Sequence, residues 1–217
     1  TVSDAKVFSQ LNHAGLAVGY IVKGQSDINR TIQCFADAAI RSQKAGYDCV
    51  EIHSAHGYLL NQFYSPAVNH RTDSYSAVSI ENRTRLHVQA IRAVRAAVGE
   101  SYPIALRFGA ADYPLQNGAI QNAQTAAQIF EEAGIDLLDI SGGVSGFRNP
   151  FSTAPGYFAE LSRPIKEVIR IPVILTGGVR TVQEAENLLA DGAADMIGIG
   201  RALMRDPDCV SHAFALE

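Results

Sequence analysis

Two histidines and a tyrosine stand close together in the run His53-Ser54-Ala55-His56-Gly57-Tyr58. Histidines three apart, just past an apolar stretch, can bring two imidazoles to bear on one oxygen atom, and two donors polarise a carbonyl. The same His-x-x-His spacing could also be a metal pair. It lacks the adjacent glutamate of the His-Glu-x-x-His zinc signature, however, and no third ligand is evident, so no metal is assigned. Tyr58 taken alone reads as a packed aromatic with a satisfied hydroxyl. A second group of residues points to an anion: Gly177-Gly178 and Gly198-x-Gly200, followed by Arg201. Glycines after two neighbouring strands let backbone N–H groups approach a phosphate, and Arg201 could close such a site. The alternative is that these glycines serve only tight turns.

The elements that carry these residues alternate in type. Short β-branched or apolar runs at Val7 to Leu11, Cys49 to His53, Ile104 to Phe108, Leu137 to Ser141, Val173 to Thr176 and Met196 to Ile199 read as strands. Between them Asn29 to Lys44, Ile80 to Val98, Asn122 to Ala133, Phe158 to Val168 and Val182 to Asp191 have helical spacing, with Gly46, Gly99, Gly134 and Gly192 where helices should stop. Three variants of one helix-stop, strand-start phrase recur, at Ala45-Gly46-Tyr47-Asp48, Ala133-Gly134-Ile135-Asp136 and Asp191-Gly192-Ala193-Ala194-Asp195. The pattern predicts an α/β fold, a parallel β/α barrel. Its strand ends carry Gln10, His53, Arg107, Ser141-Gly142-Gly143, Thr176-Gly177-Gly178 and Gly200-Arg201. In such barrels the loops after the strands build the active site.

Composition narrows the partners. With 217 residues, one domain spanning 1–217 is expected. A net charge of -4 spread over mixed charges offers no basic stripe for nucleic acid, and the longest apolar runs are too short for a membrane span. Cys34, Cys49 and Cys209 are too few and too scattered for a disulfide framework, which fits a reducing cytoplasm.

A longer motif is more specific. Val50 to Phe63, then Ser65-Pro66, Asn69, Arg71-Thr72-Asp73 and Glu81-Asn82-Arg83, with Gln10 to Gly15 upstream and Arg107, Pro172 to Gly178 and Gly198 to Leu203 downstream, resembles the old yellow enzyme family of FMN-dependent ene-reductases over nearly the whole chain. The resemblance implies a (β/α)8 TIM barrel binding FMN, with NAD(P)H as reductant and an electron-poor alkene as the small-molecule substrate. It implies that Gln10 bonds the pyrimidine edge of the flavin and Arg107 lies beside its N1 and O2 edge, where reduction leaves negative charge. Gly177, Gly178, Gly200 and Arg201 would hold the FMN phosphate. His53 and His56 would bind the oxygen of an α,β-unsaturated carbonyl or nitro compound, hydride would pass from flavin N5 to the β-carbon, and Tyr58 would protonate the α-carbon. His13 would be structural or line the flavin edge. Asn61, Gln62, Asp73 and Arg83 would brace the loop after the strand.

The sequence departs from the family in places. Its six strands correspond to strands three to eight of the barrel, so a longer polypeptide, a partner segment or another copy in a homo-oligomer is expected to complete it. Leu16 stands where an arginine often follows His-Ala-Gly, the connection from Gly15 to Asp27 is short, and Ser76-Ala77 replaces a usual glycine pair. Two other readings remain: a barrel remnant that binds flavin weakly or not at all, and a flavin-free enzyme acting on a phosphate ligand.

Overall fold

Six short runs, apolar on at least one face, form the strands β1 (Phe8–Leu11), β2 (Cys49–Ser54), β3 (Ile104–Gly109), β4 (Leu137–Ser141), β5 (Val173–Thr176) and β6 (Met196–Gly198). The structure is a computed structural model and describes residues 4–208; Cys209 lies outside them. All five strand pairs are parallel, and the order in the sheet is the order in the chain. An order without reversal keeps every crossover helix on one side, which is how a β/α barrel is wound; a doubly wound sheet reverses direction. The described chain therefore forms six strands of such a barrel.

The outer helices are α1 (Gln25–Lys44), α3 (Ile80–Val98), α4 (Ala119–Ala133), α5 (Ala159–Lys166) and α6 (Val182–Ala190). Two short helices, α2 (Leu59–Tyr64) and α7 (Arg201–Arg205), follow β2 and β6. Neighbours pack in sequence, α1 on α3, α3 on α4 and α4 on α5. None of the described helices is long and apolar enough to cross a membrane. The expected helix stops hold: Gly46, Gly99, Gly134 and Gly192 all take positive φ, which ends a helix at no steric cost to glycine. Helix α3 has the expected bounds because Ser79 caps it, its hydroxyl accepting the Asn82 N–H at 3.3 Å. Helix α1 starts four residues earlier than its apolar spacing indicates. The Asp27 carboxylate accepts the N–H groups of Lys23 and Gly24 and so fixes the first turn ahead of Asn29.

Strand alternation divides the side chains into two populations. Val50, Ile52, Leu106, Phe108, Leu138, Ile140, Val173 and Leu175 point outward and are buried against Phe35, Leu86, Ile91, Phe130 and Leu161 of the helices. The alternate positions include Gln10, Glu51, His53, Arg107, Asp139, Ser141 and Thr176, so the inner face is polar toward the C-terminal ends of the strands. At the two edge strands Phe8 and Met196 remain 41% and 42% exposed. Each edge strand pairs with one neighbour.

The long connection after β2 is tied down by side chains. Asn69 Nδ2 donates to the carbonyls of Phe63 (2.7 Å) and Tyr75 (2.8 Å), and Arg83 Nε donates to that of Tyr64 at 2.6 Å. Arg71 pairs with Asp73 and reaches Val22 O, which joins this loop to the one before α1. The loop-bracing roles expected of Asp73 and Arg83 are observed.

One core residue ties the fold to pH. His87 of α3 stacks on Phe130 with 5.1 Å between ring centroids, and its Nε2 lies 2.6 Å from Ser54 Oγ. Burial, helped by the Arg83 charge, lowers its pKa to about 3. The unfolded chain takes up a proton on this ring below the ordinary value of 6.5, whereas the folded chain does not. Stability is thus intact above pH 6.5 and is lost toward pH 3, by about 1.4 kcal/mol per pH unit for this ring. The urea midpoint is expected to fall less steeply below pH 6.5 in His87→Phe than in the parent; equal slopes would contradict this assignment.

Candidate active site

Strand β2 carries His53 onto the inner face in register with Arg107 of β3, which is in register with Asp139 of β4. Past the strand the chain turns sharply. His56 takes φ 59, a left-handed conformation uncommon outside glycine, and Gly57 follows at φ 77. Tyr58 then caps α2. The turn brings the side chains together: the His53 ring centroid is 5.0 Å from that of His56 and 5.3 Å from that of Tyr58. Helix α2 holds the turn from beneath, with Asn61 Oδ1 accepting the Gly57 N–H at 2.8 Å and Gln62 Nε2 donating to Gly57 O at 2.6 Å. His13 acts structurally, its carbonyl accepting Leu59 N–H at 2.9 Å and its Nδ1 accepting Gly15 N–H at 3.1 Å.

Both site histidines are neutral at physiological pH. Burial lowers His53 to about 3, with His56 and Arg107 adding to the effect, and burial together with Arg107 lowers His56 to about 4. A neutral imidazole carries one N–H, so the pair offers two donors without a net charge. His56 Nε2 lies 2.7 Å from Ser141 Oγ at the end of β4, which fixes the ring and makes Nδ1 the nitrogen available to a ligand. Two buried polar atoms in this row, His53 Nδ1 and Arg107 Nε, have no hydrogen-bond partner among the described residues. Unpaired buried polar atoms on neighbouring strands are costly unless a bound molecule satisfies them.

The inner face also holds acids that the sequence pattern did not single out. Gln10 donates to Glu51, its register partner on β2. Arg107 Nε is 3.5 Å from Asp139 Oδ2, and Thr176 of β5 donates to Asp139 Oδ1 at 2.7 Å. Burial raises Asp139 to about 7, opposed by Arg107, reinforced by Glu51 and opposed by Thr176. The available signal was an acid at an alternate position of an otherwise apolar strand, Glu51 in Val50-Glu51-Ile52 and Asp139 in Leu138-Asp139-Ile140.

The expected anion residues meet through a tyrosine missed in the sequence. Tyr157, in the loop after β4, packs its ring on Gly177 and Gly178, where a Cβ on either would stand 2.7 Å from ring carbons. Gly178 also takes φ 75. Arg201, the first residue of α7, donates from Nη2 to the Tyr157 hydroxyl at 3.2 Å, and Gly200 has open space where a Cβ would stand. Phe147 spans the two groups, its ring 6.2 Å from that of His56 and 5.9 Å from the Arg201 guanidinium carbon. A separate cleft of about 350 Å³, lined by Tyr113, Leu115, Asn149, Phe151 and Glu160, includes none of these residues.

The chain matches the sequence model of the NADH:flavin oxidoreductase / NADH oxidase family over residues 20–214. An NADH oxidase of Thermoanaerobacter brockii is 38% identical over 187 residues, which are 84% of this chain and 29% of that protein. An NADPH dehydrogenase of Bacillus pumilus is 42% identical over 182 residues, 83% of this chain and 52% of that one. Among solved structures, the old yellow enzyme homologue of Zymomonas mobilis superposes with a TM-score of 0.75 at 26% identity, covering 91% of this chain and 54% of its own. The chain thus spans from under a third to just over half of the length of these relatives.

The packing of Tyr157 on the glycine pair is directly testable. Gly178→Ala puts a methyl group into the Tyr157 ring at a backbone conformation that alanine resists. A loss of about 1–3 kcal/mol in urea denaturation is expected, and unchanged stability would show that the ring is not held there.

Proposed function

The chain belongs to the NADH:flavin oxidoreductase / NADH oxidase family, and from that premise we propose that it forms the catalytic part of an FMN-dependent NAD(P)H oxidoreductase reducing the C=C bond of α,β-unsaturated carbonyl or nitro compounds. The observation that carries this reading is the row His53–Arg107, with its two unpartnered buried nitrogen atoms, beside the converging His56 and Tyr58. These groups fit a flat, electron-accepting ring on the inner face. A flavin-free phosphate enzyme leaves the three aromatic groups without work.

When bound, FMN supplies the two-electron relay from NAD(P)H to the acceptor. The chain's own residues supply orientation, charge and a proton. Arg107 is a fixed cation facing the inner side of the sheet, placed to stabilise negative charge there without reorganisation. Gln10, its amide oriented by Glu51, stands two strands away and can address a polar ring edge. Gly177, Gly178, Gly200 and Arg201 would hold the phosphate; Tyr157 fixes the loop and the arginine. His53 and His56 each donate one hydrogen bond to the acceptor oxygen; being neutral, they polarise it without protonating it. Tyr58, at the start of α2, delivers the proton to the α-carbon.

The two sheet edges belong to the same proposal. With Phe8 and Met196 each more than two-fifths exposed at β1 and β6, a further segment of polypeptide or another copy of the chain closes the barrel. NAD(P)H as reductant goes with a cytoplasmic setting.

Separate half-reactions test these roles. Tyr58→Phe is expected to slow flavin reoxidation by cyclohexenone about a hundredfold or more while flavin reduction by NAD(P)H stays near the parent rate; equal losses in both would remove the proton-donor role. His53→Ala is expected to weaken binding of phenols, which mimic the enolate, by about tenfold. Unchanged phenol affinity in a titration of the flavin-loaded protein would count against the histidine pair.

A further inference from the structure

Of the two acids inside the sheet, Glu51 orients Gln10 and Asp139 has no part in the reaction as described. Glu51 and Asp139 are 9% and 5% exposed, and each sits one strand away from a side chain assigned to the flavin. Glu51 is the register partner of Gln10 and accepts its amide; Asp139 is the register partner of Arg107 and lies 3.5 Å from its Nε. The groups that face Asp139 are Arg107 from β3, the Thr176 hydroxyl from β5 and, through its charge, Glu51 from β2. On β6 the residues in register with Ile174 and Thr176 are Met196 and Gly198, neither of which is charged. His53, beside Arg107, is held neutral.

The geometry is unbalanced. Asp139 has one guanidinium beside it and also feels the charge of Glu51, so Arg107 compensates it only in part. Arg107 is also poorly engaged by Asp139, because its Nε has no hydrogen bond although it is 3.5 Å from the carboxylate. Burial pushes Asp139 up to about 7 against the pull of Arg107, with the Glu51 charge adding to the rise and Thr176 opposing it.

We propose that Asp139 is a positioning residue for Arg107, and that a proton on Asp139 decides how much of the guanidinium charge faces a ligand on the inner side of the sheet. The identity of that ligand rests on the flavin reading above. With Asp139 ionised, Arg107 is divided between carboxylate and ligand; with Asp139 protonated, its charge is directed to the ligand alone. A ring that gains negative charge on two-electron reduction therefore draws one proton from solvent onto Asp139.

The test is the reduction potential of the FMN-loaded full chain between about pH 5.5 and 8.5, run beside an NMR titration of the Arg107 Nε–Hε signal in the flavin-free chain. In the parent, the potential is expected to fall more steeply near neutrality, by one extra proton per two electrons, and the Arg107 signal to shift over the same range. Asp139→Asn should lose both effects, its potential matching the parent at the acid end and lying above it at the alkaline end. Thr176→Val removes a bond that favours the ionised acid, so it should move the break to higher pH, and it serves as the independent variant if Asp139→Asn does not fold. Parallel potential curves in parent and variants, with an Arg107 signal that does not titrate, would overturn the proposal. A chain that takes up no FMN, yet shows an Arg107 titration abolished by Asp139→Asn, would contradict the flavin reading while supporting the pair.

Discussion

A guanidinium inside a sheet must be answered by something, and the architecture of this chain follows from how Arg107 is answered. Strand register sets Asp139 on one side of it and His53 on the other. The acid compensates part of the charge, and the charge in turn helps burial keep both site histidines neutral. Removing one member of a buried pair generally costs about 3–5 kcal/mol, because the survivor is left uncompensated. Arg107 can thus be held on the polar inner face only while the outward residues of the same strands, Leu106, Phe108, Leu138 and Ile140, anchor the sheet to the helices. The polar row and the apolar core are two faces of one alternation.

The second constraint is local. His56 needs a left-handed backbone to turn its ring back toward His53, and a non-glycine residue holds that conformation only where the surroundings impose it. Here they do so from several directions. Asn61 and Gln62 grip Gly57, His13 binds the first turn of α2, and Gly142 O accepts the His56 N–H at 3.3 Å. Loops after three strands therefore cooperate to place one imidazole, and Ser141 sets its rotation.

Much of this was legible in the sequence. The strands β4 and β5 and the helix α3 have the bounds that their apolar spacing and, for the helix, the flanking Gly99 indicate. The helix-stop glycines behave as expected, the rings of His53, His56 and Tyr58 stand together, and Arg107 is in register with His53. What was not legible has physical reasons. Helix α2 is buried on every side, so Leu59 to Tyr64 show no amphipathic period to detect. Glu51 and Asp139 look like interruptions of strands until register shows which residues they answer. Tyr157 and Phe147 gain their places from tertiary packing alone, because nothing in spacing links a loop after β4 to glycines after β5 and an arginine after β6.

Phe147 lies between His56 and Arg201, its ring 6.2 Å from that of His56 and 5.9 Å from the Arg201 guanidinium carbon, and the proposed function requires one elongated ligand with a flat ring and a phosphate to occupy both ends. The most direct measurement of that claim is a visible absorption spectrum of the full chain after incubation with FMN and removal of free flavin by gel filtration. The account predicts flavin bands that travel with the protein, bleach with NAD(P)H under exclusion of air and return on adding cyclohexenone. A colourless protein fraction, with all of the FMN recovered among the small molecules, would contradict it.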